Sequence, residues 1–213
     1  MKIAMLVLAA LTSGVAAPAA VTPSAHAAEA SIEHAPRALP SVTVVVRRGE
    51  RGIEVEGRCR LRAMPAAAWA VLTDYEDLER FVSSMRDSRV TARDSGYVLV
   101  EQAAVGRVFL FSRRMRTVLK VREEPPARID FEDVLKRDFA SYRGAWRIED
   151  FGNEVEIVYE LEARPTFRVP DAVARNAFQR AVRELIGQVG AEIEIRAEEA
   201  GVSGLSASKG EGT

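Results

Sequence analysis

A chain of 213 residues, 47% hydrophobic and 29% charged, carries enough apolar material for one domain with a real core. Its formal net charge of −1 lacks the basic excess of a nucleic-acid-binding protein, and interspersed charges exclude a polybasic membrane anchor. A single cysteine, Cys59, excludes an internal disulfide and reads as a small buried hydrophobe.

The chain opens with a basic residue, Lys2, followed by an uncharged run from Ile3 to Val21. Ile3 to Leu11 form an apolar core, and Ala25-His26-Ala27 fits a small-residue cleavage pattern. Residues 1–27 therefore read as a signal peptide, with the mature chain starting at Ala28 and located in the periplasm or secreted. The alternative is an uncleaved N-terminal anchor, although Gly14 and Pro18 interrupt a run shorter than the ~20 residues a spanning helix needs. Residues 28–40 show no periodicity and read as a flexible lead-in, 41–199 as one domain, and 200–213 as a disordered Gly/Ser tail.

Strand signals fill the first part of the domain. Val42, Val44 and Val46 alternate before the turn-like Arg47–Gly52 stretch. Ile53, Val55, Gly57, Cys59 and Leu61 then alternate with five charged residues. This period of two, apolar on one face and charged on the other, predicts a half-buried antiparallel strand. Pro65 to Thr73 predicts a short helix with Pro in its first turn, and Asp74 to Met85 a second. Further strands are predicted at 88–93, 97–104, 114–122, 128–135, 143–149 and 154–162. Basic and acidic outer faces on these strands would allow cross-strand ion pairs.

One long helix is predicted from Pro170 to Glu198. Ala174, Phe178, Ala181, Val182, Leu185, Ile186, Val189 and Ile193 fall within an arc of about 140°. At ~1.5 Å per residue it would span roughly 40 Å, enough to cross a sheet. Strands segregated from helices give an α+β class, and a sheet with one apolar face needs that helix as its cover. A twisted sheet curling round one helix leaves room for a pocket.

The run Trp69–Phe81 (WAVLTDYEDLERF) with Ser88–Val90 (SRV) resembles the START-like superfamily, in its coenzyme Q-binding or polyketide cyclase/dehydrase branch. Glu123–Pro126 (EEPP), Arg128–Phe131 (RIDF) and Gly144–Trp146 (GAW) follow in matching order. The resemblance covers about 60–198. It implies a helix-grip fold, an antiparallel sheet curled around a C-terminal helix with an apolar cavity between. Such proteins bind lipids, quinones or polyketides, and some are enzymes.

Little catalytic apparatus is visible. The mature chain keeps one histidine, His34, in the lead-in, which excludes a Ser-His-acid triad, a Cys-His pair or a His/Cys zinc site in the domain. No phosphate loop or dinucleotide fingerprint occurs, so no cofactor is expected. By strand parity, Asp133 and Glu101 are the carboxylates that would turn inward and serve as general acids. The expected ligand-binding side chains are Phe81, Phe111, Phe131, Trp146, Tyr159, Phe178 and Val182, with Arg175 at the pocket mouth or snorkelling to water. Trp69 is expected in the core.

Val108-Phe109-Leu110-Phe111 breaks the alternation. It reads either as a strand buried on both faces or as a hairpin whose apolar end makes transient membrane contact. The expected function is carriage of a small hydrophobic, lipid- or quinone-like ligand; the alternative is a metal-free cyclase, dehydrase or aromatase.

Overall fold

The computed structural model describes residues 40–108, 111–167 and 170–208, without the side chains of 107–113 and 202–208. The predicted signal peptide and nearly all of the lead-in, His34 included, lie outside the described residues. Alternating segments form β1 (Val42–Gly49), β2 (Gly52–Leu61), β3 (Met85–Asp94), β4 (Tyr97–Val108), β5 (Phe111–Glu124), β6 (Arg128–Asp133), β7 (Phe139–Asp150) and β8 (Val155–Pro165). The helices are α1 (Pro65–Leu72), α2 (Leu78–Phe81) and α3 (Asp171–Ser208).

All eight strands pair antiparallel in one sheet, ordered β1-β2-β8-β7-β6-β5-β4-β3. From β3 the chain meanders strand by strand until β8 returns beside β2. The α1–α2 connection carries it from β2 to the far edge at β3. The apolar face holds Val55, Cys59 and Leu61 of β2 beside Ile157, Tyr159 and Leu161 of β8, all buried.

The opposite face carries the cross-strand ion pairs that the charge pattern foretells. Across strands Arg58 bonds Glu156 at 3.0 Å and Arg147 bonds Glu160 at 2.8 Å, while within β2 Arg58 also bonds Glu56 at 2.7 Å. Arg58 and Arg147 flank Val158 on its two neighbouring strands, and Val158 is fully buried on this mostly charged face. Such arginine stems cover apolar surface while their heads pair, and the pairs themselves add only ~0–1 kcal/mol each.

Helix α3 covers the apolar face, packing on β1, β2 and α1. Its predicted arc is the buried one, with Ala174, Val182, Ile186, Val189 and Ile193 all enclosed. Glycine permits the close crossing with β2. A Cβ on Gly57 would stand 2.2 Å from Ile186 Cδ1, and one on Gly190 3.1 Å from Leu61.

Four expectations need correction. The segment expected as a disordered tail instead continues α3 as far as Ser208. Helix α2 occupies only Leu78–Phe81, because Val82 takes an extended backbone and buries its side chain. Strand β6 stops at Asp133 rather than 135, since the Asp133 carboxylate accepts from Leu135 N and Lys136 N at 3.0 and 3.1 Å and turns the chain. The apolar run at 108–111 is not one strand buried on both faces, and its ends pair as the alternative reading, a hairpin, requires. Val108 closes β4 and pairs with Phe111 at the start of β5, while residues 109 and 110 lie outside the described residues.

Candidate functional site

Inward-pointing side chains of the sheet and the inner arc of α3 enclose a cavity of about 250 Å³. Val100, Gln102 and Ala104 line it from β4, and Met115, Thr117, Leu119 and Val121 from β5. Phe178, Ala181, Val182, Leu185 and Val189 line it from α3, and Leu72, Tyr75 and Leu78 from the α1–α2 segment. Ala181 both lines the cavity and is exposed, so the cavity opens beside it.

Aromatic rings from β6, β7 and β8 make the third wall. The Phe131 ring stacks on Tyr159 at 5.9 Å and 17°, and Trp146 tilts against Tyr159 at 4.6 Å. Phe139 and Tyr142 approach to 4.8 Å. Gly144 makes the arrangement possible. It pairs with Phe131, and a Cβ there would stand 2.7 Å from the Phe131 ring and 2.0 Å from the Glu160 carbonyl oxygen.

No Asp, Glu, His, Lys or Arg is among the described residues lining the cavity. Its polarity comes from Tyr75, Tyr142, Tyr159, Gln102, Thr117 and Ser84. The Tyr75 hydroxyl donates to Glu123 Oε1 at 2.7 Å, while the Tyr142 and Tyr159 hydroxyls lie 3.3 Å apart. Burial drives all three phenols above their ordinary range, because a phenolate in an apolar wall loses its hydration. At neutral pH they are hydrogen-bond donors and not bases. One hydrogen of the Tyr142–Tyr159 pair closes the pair, and the second is left for a ligand oxygen.

The structure brings together five of the eight expected ligand-binding residues: Phe131, Trp146, Tyr159, Phe178 and Val182 all line the cavity. Phe81 does not. Its ring packs at the margin of the core, beneath the guanidiniums of Arg80 and Arg196 at 5.7 and 5.8 Å, and does not reach the cavity. Arg175 does not reach the apolar cavity either. It is exposed in a separate groove with Arg47, Arg48 and Arg164, where the first turns of α3 meet the β1–β2 hairpin and the end of β8. The side chain of Phe111 lies outside the described residues. Trp69 packs against the core from α1 and is not among the cavity-lining residues.

Neither carboxylate proposed as a general acid faces the cavity. Asp133 is buried, but its oxygens accept from the backbone N–H groups of Val118, Leu135 and Lys136, a structural role at a strand end. Glu101 lies on the outer face, bonded at 2.7 Å to Arg89, which holds its carboxyl below the usual range. Both faces of β4 are apolar at Tyr97–Val100, so alternation alone did not orient the strand. Gln102 and Tyr142 were missed. Tyr142 sits one residue before the predicted start of β7, and a glutamine on a mixed strand carries no distinguishing pattern.

No curated protein matches the chain significantly. Among solved structures, a protein of Thermus thermophilus superposes with a TM-score of 0.58 at 20% identity, covering 69% of this chain and 98% of that one. The STAR-related lipid transfer protein of Xanthomonas axonopodis gives 0.58 at 15% identity, covering 71% and 93%. The Zhui aromatase/cyclase of Streptomyces sp. R1128 gives 0.54 at 14% identity, covering 68% and 93%. These similarities establish the START-like helix-grip fold. The profile described as polyketide cyclase/dehydrase and lipid transport matches residues 61–189, and with more than half its length so matched, the chain belongs to that family.

Proposed function

We propose that this chain is an exported binding and transport protein for a small hydrophobic ligand, lipid- or quinone-like in chemistry. The observation that carries this reading is the cavity itself. Its wall is aromatic and aliphatic with no charged side chain among the described residues, and its polar groups are uncharged hydroxyls and an amide. Such a site binds an apolar body and orients one or two oxygens. At about 250 Å³ it is slightly smaller than the ~300–1,000 Å³ of drug-sized pockets. A ring system or short chain fits, and a long acyl chain would extend past Ala181.

Export is supported by the Lys2 start, the apolar Ile3–Leu11 core and the Ala25-His26-Ala27 pattern. A metal-free cyclase, dehydrase or aromatase is the second reading. It is favoured by the fold shared with an aromatase/cyclase and by the Tyr142–Tyr159 pair, which could donate to a developing enolate oxygen.

Native mass spectrometry of the protein from its own host tests both readings. The expected result is a chain starting at Ala28, outside the cytoplasm, with a displaceable apolar molecule bound. Intact Met1 on a cytoplasmic protein would remove the export reading. An empty cavity that turns over polyketide-like substrates would replace carriage with catalysis.

A further inference from the structure

The antiparallel meander brings one set of strand ends to a single rim. There the β1–β2 hairpin, the end of β6, the start of β7, the end of β8 and the start of α3 lie together. Thr166, following β8, ties the 134–138 loop to this rim, its N–H donating to the Asp138 carbonyl at 3.0 Å.

The rim is basic, although the whole chain is almost neutral. Arg47, Lys136, Arg137, Arg164 and Arg175 are exposed on it. Among the described residues none of these five forms an ion pair, unlike Arg58, Arg89, Arg143 and Arg147 on the outer sheet face, which are all paired. Of the rim's acids, Asp171 bridges Arg48 and Glu162 bridges Arg51. Asp133 and Asp138 are buried and accept backbone N–H groups, which leaves Glu50, Glu54 and Glu132 as exposed carboxylates beside five exposed cations. Two apolar side chains stand among these cations, Val134 at 44% exposure and Leu135 at 43%. Cations around protruding aliphatic groups match a surface with anionic heads above a hydrocarbon layer. The cavity lining reaches Gly106, Phe139 and Phe178, at this same end of the sheet.

We propose that this rim is a docking surface for a membrane whose exposed leaflet carries anionic lipid headgroups. Val134 and Leu135 enter the headgroup layer, and the five cations sit among the phosphates. Docking deepens the carrier reading by bringing the cavity to the source of its ligand, yet it is measurable with no cargo present.

The experiment is flotation of the chain, as its host processes it, with vesicles of phosphatidylcholine alone or with about 30% phosphatidylglycerol. The expected result is binding to the anionic vesicles only, weakening as salt is raised. Each surface cation strengthens such partitioning about fivefold, so Arg47→Gln/Arg164→Gln/Arg175→Gln should lose roughly 100-fold. Val134→Ser/Leu135→Ser should lose about tenfold. These side chains are exposed, and unfolding curves matching the wild type confirm that the variants fold.

Equal binding to both vesicle types, or a triple variant that binds like the wild type, overturns the proposal. So does a comparable affinity for a DNA duplex that the same triple variant abolishes, which would make the rim a nucleic-acid surface. Uptake of a hydrophobic fluorophore, measured without vesicles on the same samples, reads the cavity separately. Lost docking with intact uptake strikes only the rim, and lost uptake with intact docking strikes only the carrier.

Discussion

The phenol oxygens of Tyr142 on β7 and Tyr159 on β8 stand 3.3 Å apart inside the cavity wall, each raised in pKa by burial. Both remain protonated across the physiological range, and the pair can offer one O–H to a guest. Tyr142→Phe or Tyr159→Phe should therefore weaken binding of a carbonyl-bearing hydrophobe about three- to tenfold, the range of one net hydrogen bond. A hydrocarbon probe of similar size should bind the variants as well as it binds the wild type. Titration calorimetry with the two probes separates these outcomes, and an equal loss for both would mean that the pair only shapes the wall.

Alkaline stability follows from the same burial. Tyr75, Tyr142 and Tyr159 have raised pKa values, and burial pushes the Cys59 thiol up to about 12. A group whose folded pKa is raised keeps its stabilising contribution below its unfolded pKa and loses it as pH climbs towards the folded value. The loss should begin above about pH 8.5 through Cys59 and steepen above about pH 10 through the tyrosines. Thermal unfolding from pH 7 to pH 11 should show the melting temperature falling in that order. Tyr142→Phe should flatten the upper part of the curve, and Cys59→Ala the lower part. Buried Cys59 should also resist maleimide until the protein is denatured.

Two glycines on the inner face differ in what a methyl group would meet. At Gly57 the obstacle is Ile186 Cδ1, the end of a side chain, whereas at Gly144 it is the Glu160 backbone carbonyl. Gly57→Ala should cost about 1–3 kcal/mol, the usual range for overpacking, and Ile186→Val should restore much of it by removing the offending carbon. No single side-chain truncation should rescue Gly144→Ala. Chemical denaturation of the double-mutant cycle checks both statements, and additive effects at 57 and 186 would contradict the close crossing.

The contrast between those glycines also marks how far the sequence could be read. Strands β2 and β8 and the inner arc of α3 were legible because one face is apolar and the other is charged. Periodicity alone then sets which residues are buried. That legibility placed Tyr159, Phe178 and Val182 in the cavity wall. It failed at β4, where Tyr97 and Leu99 on one side face Val98 and Val100 on the other, and Lys120 lies over the Tyr97 ring at 4.4 Å on the outer face. It failed at Phe81 because α2 is a single turn, too short for a period to define its buried side. Arg175 falls in the apolar arc by angle, but angle cannot say that the first turns of α3 lie over a separate groove at the strand ends. The buried Glu192 accepts from Arg196 at 2.7 Å within α3, and Arg80, more than a hundred residues away, joins it to the α1–α2 segment. No local pattern announces that network.

Access to the cavity is the relationship most open to direct test. Ala181 is the lining residue on α3 that remains exposed, with buried Val182 beside it packing towards Gly57. A large side chain at position 182 would be forced into the β2 crossing, so a binding defect there would be confounded with unfolding. At 181 it can lie across the opening. Alanine to tryptophan on the helix surface costs only a few tenths of a kcal/mol in intrinsic propensity. Ala181→Trp should therefore melt within a few degrees of the wild type while slowing uptake and release of a hydrophobic fluorophore at least tenfold. Stopped-flow fluorescence measures both rates. Ala181→Ser, which stays small and adds a hydroxyl, should leave them near wild-type values. If Ala181→Trp exchanged the probe at the wild-type rate, the opening beside α3 would not be the route, and passage would have to lie elsewhere along the cavity wall.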